Sequence, residues 1–363
     1  TLQGDNSCEE VFIAKYAPDG ILEWEERVHN SHGCGSGRAY VSDLDIMSDG
    51  SAVISGWYRY TAYFGSLSIQ DNSCDSYYDG FVAKISPTGT WDWAHTIGQD
   101  SCSSGESYAK GVAVDPTTDD VYVVGYWYHT THSFQISNNN YMSGSCGNWI
   151  WTGFIAKFNK QGTYQWVEDN KGWRRTTDNY CSNDHRNEIQ DIVVDNNSNF
   201  YVVGYHYGES TQGCFEFNGH RTCRNNGYGW DWNMFIMKVN SQKTVQWGKS
   251  VGLNDQDYIR EVALDQHQNP IVRGYKAGGN SYTFGQSSVP SGSGTFVAKW
   301  NASGSEEWYK RLSDCCHDQE MRDAGMAVDP DGNVHVAYGS YRLETVAHDG
   351  SKTYDYNSDT RDD

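Results

Sequence analysis

The chain has 363 residues and carries 47 acidic against 27 basic side chains, a net charge of −20, so it lacks the basic face that nucleic acid needs. Its 38 glycines, 26 tyrosines and 14 tryptophans, with short apolar runs of Val, Ile and Phe, read as strands punctuated by turns. No apolar stretch approaches the roughly 20 residues that span a bilayer, so no transmembrane segment is expected.

The first element in the chain is a phrase that recurs. Phe12-Ile13-Ala14-Lys15 is followed by Trp24, and the same pattern returns as Phe81-Val82-Ala83-Lys84 with Trp93. It returns again as Phe154-Ile155-Ala156-Lys157 with Trp166, Phe235-Ile236-Met237-Lys238 with Trp247, and Phe296-Val297-Ala298-Lys299 with Trp308. Lysine and tryptophan stand nine residues apart in every copy, whereas the copies start 69, 73, 81 and 61 residues apart. A fixed core with elastic spacers is the mark of repeated structural units with loop insertions.

Between these copies lies a second phrase, at 43–58, 111–128, 191–207, 261–277 and 325–341. Two short apolar runs flank an Asp-, Asn-, Gly- or Pro-rich turn, which predicts a β-hairpin. Each unit then holds four short strands: small-apolar, aromatic, the FVAK-type strand and the tryptophan strand. That predicts propeller blades at about 40–97, 108–168, 189–250 and 259–312. A fifth blade is expected from 323–341 joined to 11–28, the N-terminal strands hydrogen-bonding to the C-terminal ones and closing an all-β, five-bladed ring within one domain.

The phrases AVDPDGNVHV, YVVGY and FVAKISPTG…W resemble the bacterial-type β-propeller repeats known as SBBP repeats. The likeness covers nearly the whole chain and departs from the family in its long, cysteine-bearing loops and in Ala337-Tyr338, which replaces Val-Gly of YVVGY. The resemblance implies the propeller fold and an extracellular or surface location, and it brings no assigned catalytic site.

Ten cysteines without a CxxC pair point to disulfides in an oxidising compartment rather than zinc. Pairing each blade's entry loop with its own middle loop gives Cys34–Cys74 and Cys102–Cys146. It also gives Cys181 with Cys214 or Cys223, and Cys315 or Cys316 with Cys8; two cysteines are left over. Asn196 and Asn301 head N-glycosylation sequons. The chain opens at Thr-Leu-Gln without Met and is read as a processed form or an excerpt.

Chemistry is sparse. Asp43, Asp191 and Glu261 fall at one level of the predicted inner strands, as an acid–base set of a five-bladed glycosidase would, or else they cap strand ends and pair with nearby bases. The turns at 195–199 and 329–333 resemble Ca²⁺ loops in composition but lack the terminal Glu, so tight turns account for them. His129 and His132 have metal spacing only on a helix, which is not expected there. Trp149, Trp151, Trp173, Tyr228, Trp230 and Trp232 lie in the long loops, where rings either form a local core or stack on a glycan or protein. The expectation is a non-catalytic surface propeller with a structural or adhesive role. Its partners would be copies of itself, other surface proteins or glycans; carbohydrate binding, then glycoside hydrolysis, are the alternatives.

Overall fold

The computed structural model describes residues 11–30, 38–70, 77–99, 105–129, 133–136, 139–143, 150–169, 186–209, 214–223, 230–251, 257–278, 281–284, 287–289, 291–312, 325–338 and 342–357. Every regular element among them is a β-strand. The chain divides into two compact units, Thr1–Ile189 and Gln190–Asp363.

The first unit begins with a hairpin, β1 (Val11–Tyr16) and β2 (Leu22–Asn30). Next come β3 (Ala39–Ile46), β4 (Ala52–Tyr58), β5 (Thr61–Phe64), β6 (Leu67–Gln70), β7 (Asp79–Ile85) and β8 (Trp91–Gln99). Strands β3, β4, β7 and β8 form the first four-stranded antiparallel blade. The second follows the same plan with β9 (Glu106–Val114), β10 (Val121–His129), β13 (Ile150–Phe158) and β14 (Tyr164–Asp169), while β11 (Ser133–Ile136) and β12 (Asn139–Ser143) fill its middle loop.

The second unit carries three more blades. One consists of β15 (Arg186–Val194, which starts in the first unit), β16 (Phe200–Glu209), β19 (Trp230–Val239) and β20 (Val245–Val251), around the hairpin β17 (Cys214–Phe217) and β18 (His220–Cys223). The next has β21 (Asp257–Leu264), β22 (Pro270–Ala277), β25 (Ser293–Trp300) and β26 (Glu306–Arg311), around β23 (Tyr282–Phe284) and β24 (Ser287–Val289). The last is β27 (Gly325–Val328), β28 (Val334–Tyr338), β29 (Arg342–Val346) and β30 (Lys352–Asn357).

That last blade corrects the expected closure. All four of its strands come from the C-terminal segment, and β28 pairs with β29 rather than with β1. The reason is a sixth copy of the repeated phrase in which both marker residues have changed. Thr345 stands opposite Tyr354 in the register where Lys84 stands opposite Trp93. The N-terminal hairpin instead pairs through β2 with β5, Val28 opposite Phe64. Likewise β11 pairs with β8, so the middle-loop hairpin of each of the first two blades extends the outer edge of the sheet before it. Covering an outer strand in this way removes a free edge.

Three devices explain the recurring residues. The first is a clasp: the FVAK lysine bridges to an aspartate of its own blade's inner hairpin turn, as in Lys157–Asp120 (2.8 Å), Lys238–Asp195 (3.3 Å) and Lys299–Asp265 (2.9 Å). Burial pulls the Lys299 ammonium down, but its bonds to Asp265 and Glu307 outweigh that and leave it raised. The second is the glycine of YVVGY. Gly56, Gly125 and Gly274 each face a one-residue bulge in the neighbouring inner strand, and a Cβ there would strike the carbonyl of Tyr40, Tyr108 or Tyr258.

The third is a lock between blades. Trp93 Nε1 donates to the Lys160 carbonyl in the next blade's outer turn (3.4 Å), Trp247 to Ala302 (3.0 Å), Trp308 to His348 (3.0 Å), and Trp24 of the N-terminal hairpin to Pro87 (2.8 Å). Each indole lies on that turn's glycine: Gly162, Gly304, Gly350 and Gly89. All four glycines have φ between 77° and 83°, which only glycine adopts freely, and a Cβ would come within 2.6–2.9 Å of the ring. The constant nine-residue spacing is therefore the distance from a clasp to a lock.

Of the cysteines, Cys8, Cys34, Cys74, Cys102, Cys146, Cys181, Cys315 and Cys316 lie outside the described residues. Cys214 and Cys223 are direct partners across the β17–β18 hairpin. Its two-residue turn, Asn218-Gly219, has φ of 45° and 79°, a type I′ signature. Counting outward from the hydrogen-bonded pair Phe217–His220 makes Cys214–Cys223 a non-hydrogen-bonded pair, with Cα atoms about 4.5 Å apart. That separation suits a disulfide. Non-reducing peptide mapping is expected to recover Cys214 linked to Cys223; recovery of either linked to Cys181 would contradict the register argument.

Candidate functional site

The three inner-strand acids are engaged in packing. Asp43 accepts the Val112 N–H of the next blade (2.8 Å) and the Leu44 N–H of its own. Asp191 does the same with Val262 and Ile192, both at 2.8 Å. Asp45, one turn of the pleat further on, accepts Val114 (2.7 Å); burial raises its pKa although the Val114 and Ile46 N–H groups pull it down. Glu261 instead pairs with the buried Arg273 at 2.6 Å. At the level that suggested an acid–base pair, Asp43 and Asp191 thus stitch neighbouring inner strands together, and Glu261 forms an ion pair within its own blade.

The turn aspartates are capped in the same manner. Asp195 Oδ1 accepts the Asn197 and Asn199 N–H groups, and Asp329 Oδ1 accepts those of Asp331 and Asn333. No group of three or more His, Cys, Asp or Glu side chains suited to a metal occurs among the described residues. His129 ends a β-strand, and His132 lies outside the described residues. Asn196 is exposed, whereas the Asn301 carboxamide oxygen caps its own turn by accepting Ser303 and Ser305 N–H groups.

These caps set a pH response. The Asn333 amide, first, then backbone N–H groups and His335 hold the Asp329 carboxyl down at about 2. Burial works against Asp265, but the Asn269 N–H and Lys299 leave it below 3.8. Carboxylates lowered on folding stabilise the fold above their ordinary pKa and lose that contribution as pH falls through the folded value. His95 is half-buried against Trp93 and Phe158, and burial lowers its pKa below 6.5 despite a hydrogen bond to the Gly162 backbone. Its contribution is complete above pH 6.5 and fades below it. Asp45 opposes these trends just above its ordinary pKa. Denaturation midpoints measured from pH 8 to 2 are expected to fall in two stages, below pH 6.5 and between pH 3.8 and about 2; a flat profile would contradict the assignment.

Aromatic side chains, some half-exposed and others such as Tyr126, Tyr205 and Tyr258 buried, meet in a row within each unit. In the first unit Tyr40 meets Trp57 (centroids 5.5 Å apart), Trp57 meets Tyr108 (5.4 Å), Tyr108 meets Tyr126 (5.1 Å), and Tyr126 meets Trp151 (5.1 Å). Lys110 Nζ sits 4.4 Å from the Trp57 centroid and the Arg186 guanidinium 5.4 Å from Trp151. In the second unit Trp232 meets Tyr205 (5.2 Å), which meets Tyr258 (4.7 Å), with Arg260 over both tyrosines. Trp151 and Trp232 hold equivalent places, opposite Tyr128 and Tyr207. Trp230 opens β19 opposite Glu209; Trp149, Trp173 and Tyr228 lie outside the described residues. The sequence named Trp151, Trp230 and Trp232 but placed them in loops, whereas they stand on strands, and it did not point to Trp57, Tyr126 or Tyr205. Their signal was the aromatic residue one place beyond the YVVGY glycine, seen in Trp57, Tyr126, Tyr205 and Tyr275.

A second exposed feature is the N-terminal hairpin. Phe81, Phe154, Phe235 and Phe296 are all at most 1% exposed, yet the equivalent Phe12 is 64% exposed. Tyr16, Ile21 and Leu22 of the hairpin and Val41, Leu44 and Ile46 of β3 are exposed as well. Among the described residues, strand β1 pairs only with β2, while β7, β13, β19 and β25 each pair on both edges. The hairpin corresponds to the outer half of a blade, and no described strand pairs with its second edge.

No family model matches the sequence. An alignment over 214 positions that covers 55% of the chain is 24% identical to an uncharacterised WD repeat-containing protein of Acanthamoeba polyphaga mimivirus and spans 14% of that protein's length. Among solved structures, a protein of unknown function from Bacteroides caccae is similar over 96% of this chain and 94% of its own, at 10% identity and a TM-score of 0.44. A Hadza microbial sialidase is similar over 88% of this chain and 58% of its own, at 10% identity and a TM-score of 0.45. At these identities and scores no activity passes from them to this chain.

Proposed function

We propose that the protein is a non-catalytic, extracellular β-propeller module with a structural role, a subunit of a larger assembly. The observation that carries this reading is the N-terminal hairpin, where an edge unpaired among the described residues and several exposed apolar side chains occur together. Ten cysteines support an oxidising, extracellular setting. The use of Asp43, Asp191 and Glu261 in packing supports a body without hydrolytic machinery. Size-exclusion chromatography with light scattering and negative-stain microscopy on the purified chain are expected to show multimers. Dispersed monomers up to high concentration would refute the assembly role.

A glycan-binding role is the second reading, favoured by the aromatic and cationic belt through Trp57, Tyr108, Tyr126 and Trp151. Half-exposed indoles flanked by cations can stack on sugar rings. A glycan array in which binding is lost in Trp151→Ala would support it; an array without hits would end it.

A further inference from the structure

Two outer hairpins in this chain match one inner hairpin. The inner pair β27–β28 is held by β29–β30, the copy that lacks the marker residues. The N-terminal hairpin β1–β2 keeps all of them and has no inner pair among the described residues.

We propose that the open hairpin β1–β2 accepts the inner hairpin β27–β28 of a second copy, which exchanges its own β29–β30 for it. The proposal rests on the assembly reading and names its partner. It extends an interface already repeated through the chain, because each component left without its usual counterpart at one end matches one at the other.

The first matched component is the clasp. In three blades the FVAK lysine reaches an aspartate of the inner turn at 2.8–3.3 Å. Lys15 has no inner turn and bridges Glu23 on its own hairpin (2.8 Å). Asp329 has no lysine, since Thr345 occupies that register position, and takes His335 at 3.2 Å instead. The second is the lock. Gly20 has the same positive φ (84°) as the four docked turn glycines, but a Cβ built there meets nothing within 4 Å. The tryptophan preceding this blade in the series is Trp308, now seated on the Gly350 turn. The third is the cover for Phe12, which in every complete blade is the second strand.

Copying the β4–β7 register onto the exchanged pair places Val334 opposite Tyr16, His335 opposite Lys15, Val336 opposite Ala14 and Ala337 opposite Ile13. Tyr338 stands where the other blades have glycine, so Phe12 would meet a ring there. Exchange of an identical element between copies is a low-cost route to association, and a head-to-tail contact propagates. Because Trp24 continues to lock β1–β2 onto its own first blade, each copy would carry the series of blades into the next.

The test uses two differently tagged full-length copies expressed together, one carrying the photo-crosslinker p-benzoylphenylalanine in place of Phe12. The expected product joins the two tags, with the crosslink mapped by mass spectrometry to residues 334–338. Crosslinks to 334–338 confined to one copy, crosslinks to residues 11–63 of the other copy, or multimers without crosslinks to 334–338 would each overturn the exchange while leaving the assembly reading in place. Absence of multimers altogether would overturn both. Charge reversal supplies a second readout. Lys15→Asp or Asp329→Lys alone is expected to raise the concentration needed for assembly about tenfold. The double variant is expected to restore it, and equal impairment in all three would overturn the clasp.

Discussion

Gly125→Ala is expected to abolish folding of the chain. The added methyl group would strike the Tyr108 carbonyl oxygen and lie 3.0 Å from the Phe154 ring. Neither can retreat: Tyr108 is fixed beside the bulge of β9, and Phe154 is fully buried in the core with Val123, Val121 and Ala156. A clash with backbone inside a close-packed core belongs among the substitutions that cost more than about 4 kcal/mol. Gly219→Ala is the control, because that turn glycine has nothing within 4 Å and loses only its φ freedom. It should cost about 1 kcal/mol. Soluble expression and thermal unfolding of the two variants check the prediction, and a well-folded Gly125→Ala protein would remove the proposed reason for glycine in YVVGY.

Trp93→Ala is the second large effect. Trp93 is 9% exposed, stacks on His95 and Phe158 at 5.3 and 6.2 Å, and covers Gly162 of the following blade. Emptying a buried indole site of this kind costs about 3–5 kcal/mol. The separate weight of the hydrogen bond to Lys160 can be read from Trp93→Phe, which keeps most of the packing and should cost about 1 kcal/mol. Denaturant midpoints of the three proteins measure both terms. If Trp93→Ala were no worse than Trp93→Phe, the tryptophan would not be the joint between these blades.

Strand composition and the two repeated phrases made the blade plan legible, because clasp, glycine and lock residues recur at fixed spacing. What hid the last described blade was the loss of markers in its copy of the phrase. Thr345 and Tyr354 satisfy the register without the lysine and tryptophan by which the phrase is recognised, so residues 342–357 do not stand out as a copy. The middle-loop hairpins were hidden for a different reason: segments such as TAYF and LSIQ are too short to show a period, and their pairing comes from the edge they cover.

Site residues divided in the same way. Asp43, Asp191 and Glu261 were found because they share a level of the inner strands, but the role of Asp43 and Asp191 depends on backbone N–H groups about 70 residues away in sequence, and that of Glu261 on the Arg273 side chain. Sequence position could not distinguish a stitch from a catalytic carboxylate. Apart from Trp151 and Trp232, the aromatic belt was missed because its members alternate with core residues along strands, where Tyr and Trp are ordinary β-formers. Only the register shows that Trp57, Tyr126 and Tyr205 hold equivalent places in their blades.

The central claim is that tryptophans lock successive blades within each unit and that the first copy of the phrase is left uncovered. Hydroxyl-radical footprinting of dispersed chains, comparing Phe12 with Phe81, Phe154, Phe235 and Phe296, tests it most directly. Far faster oxidation of Phe12, slowing to the rate of the others once copies assemble, is the predicted result; a Phe12 already shielded in dispersed chains would contradict it.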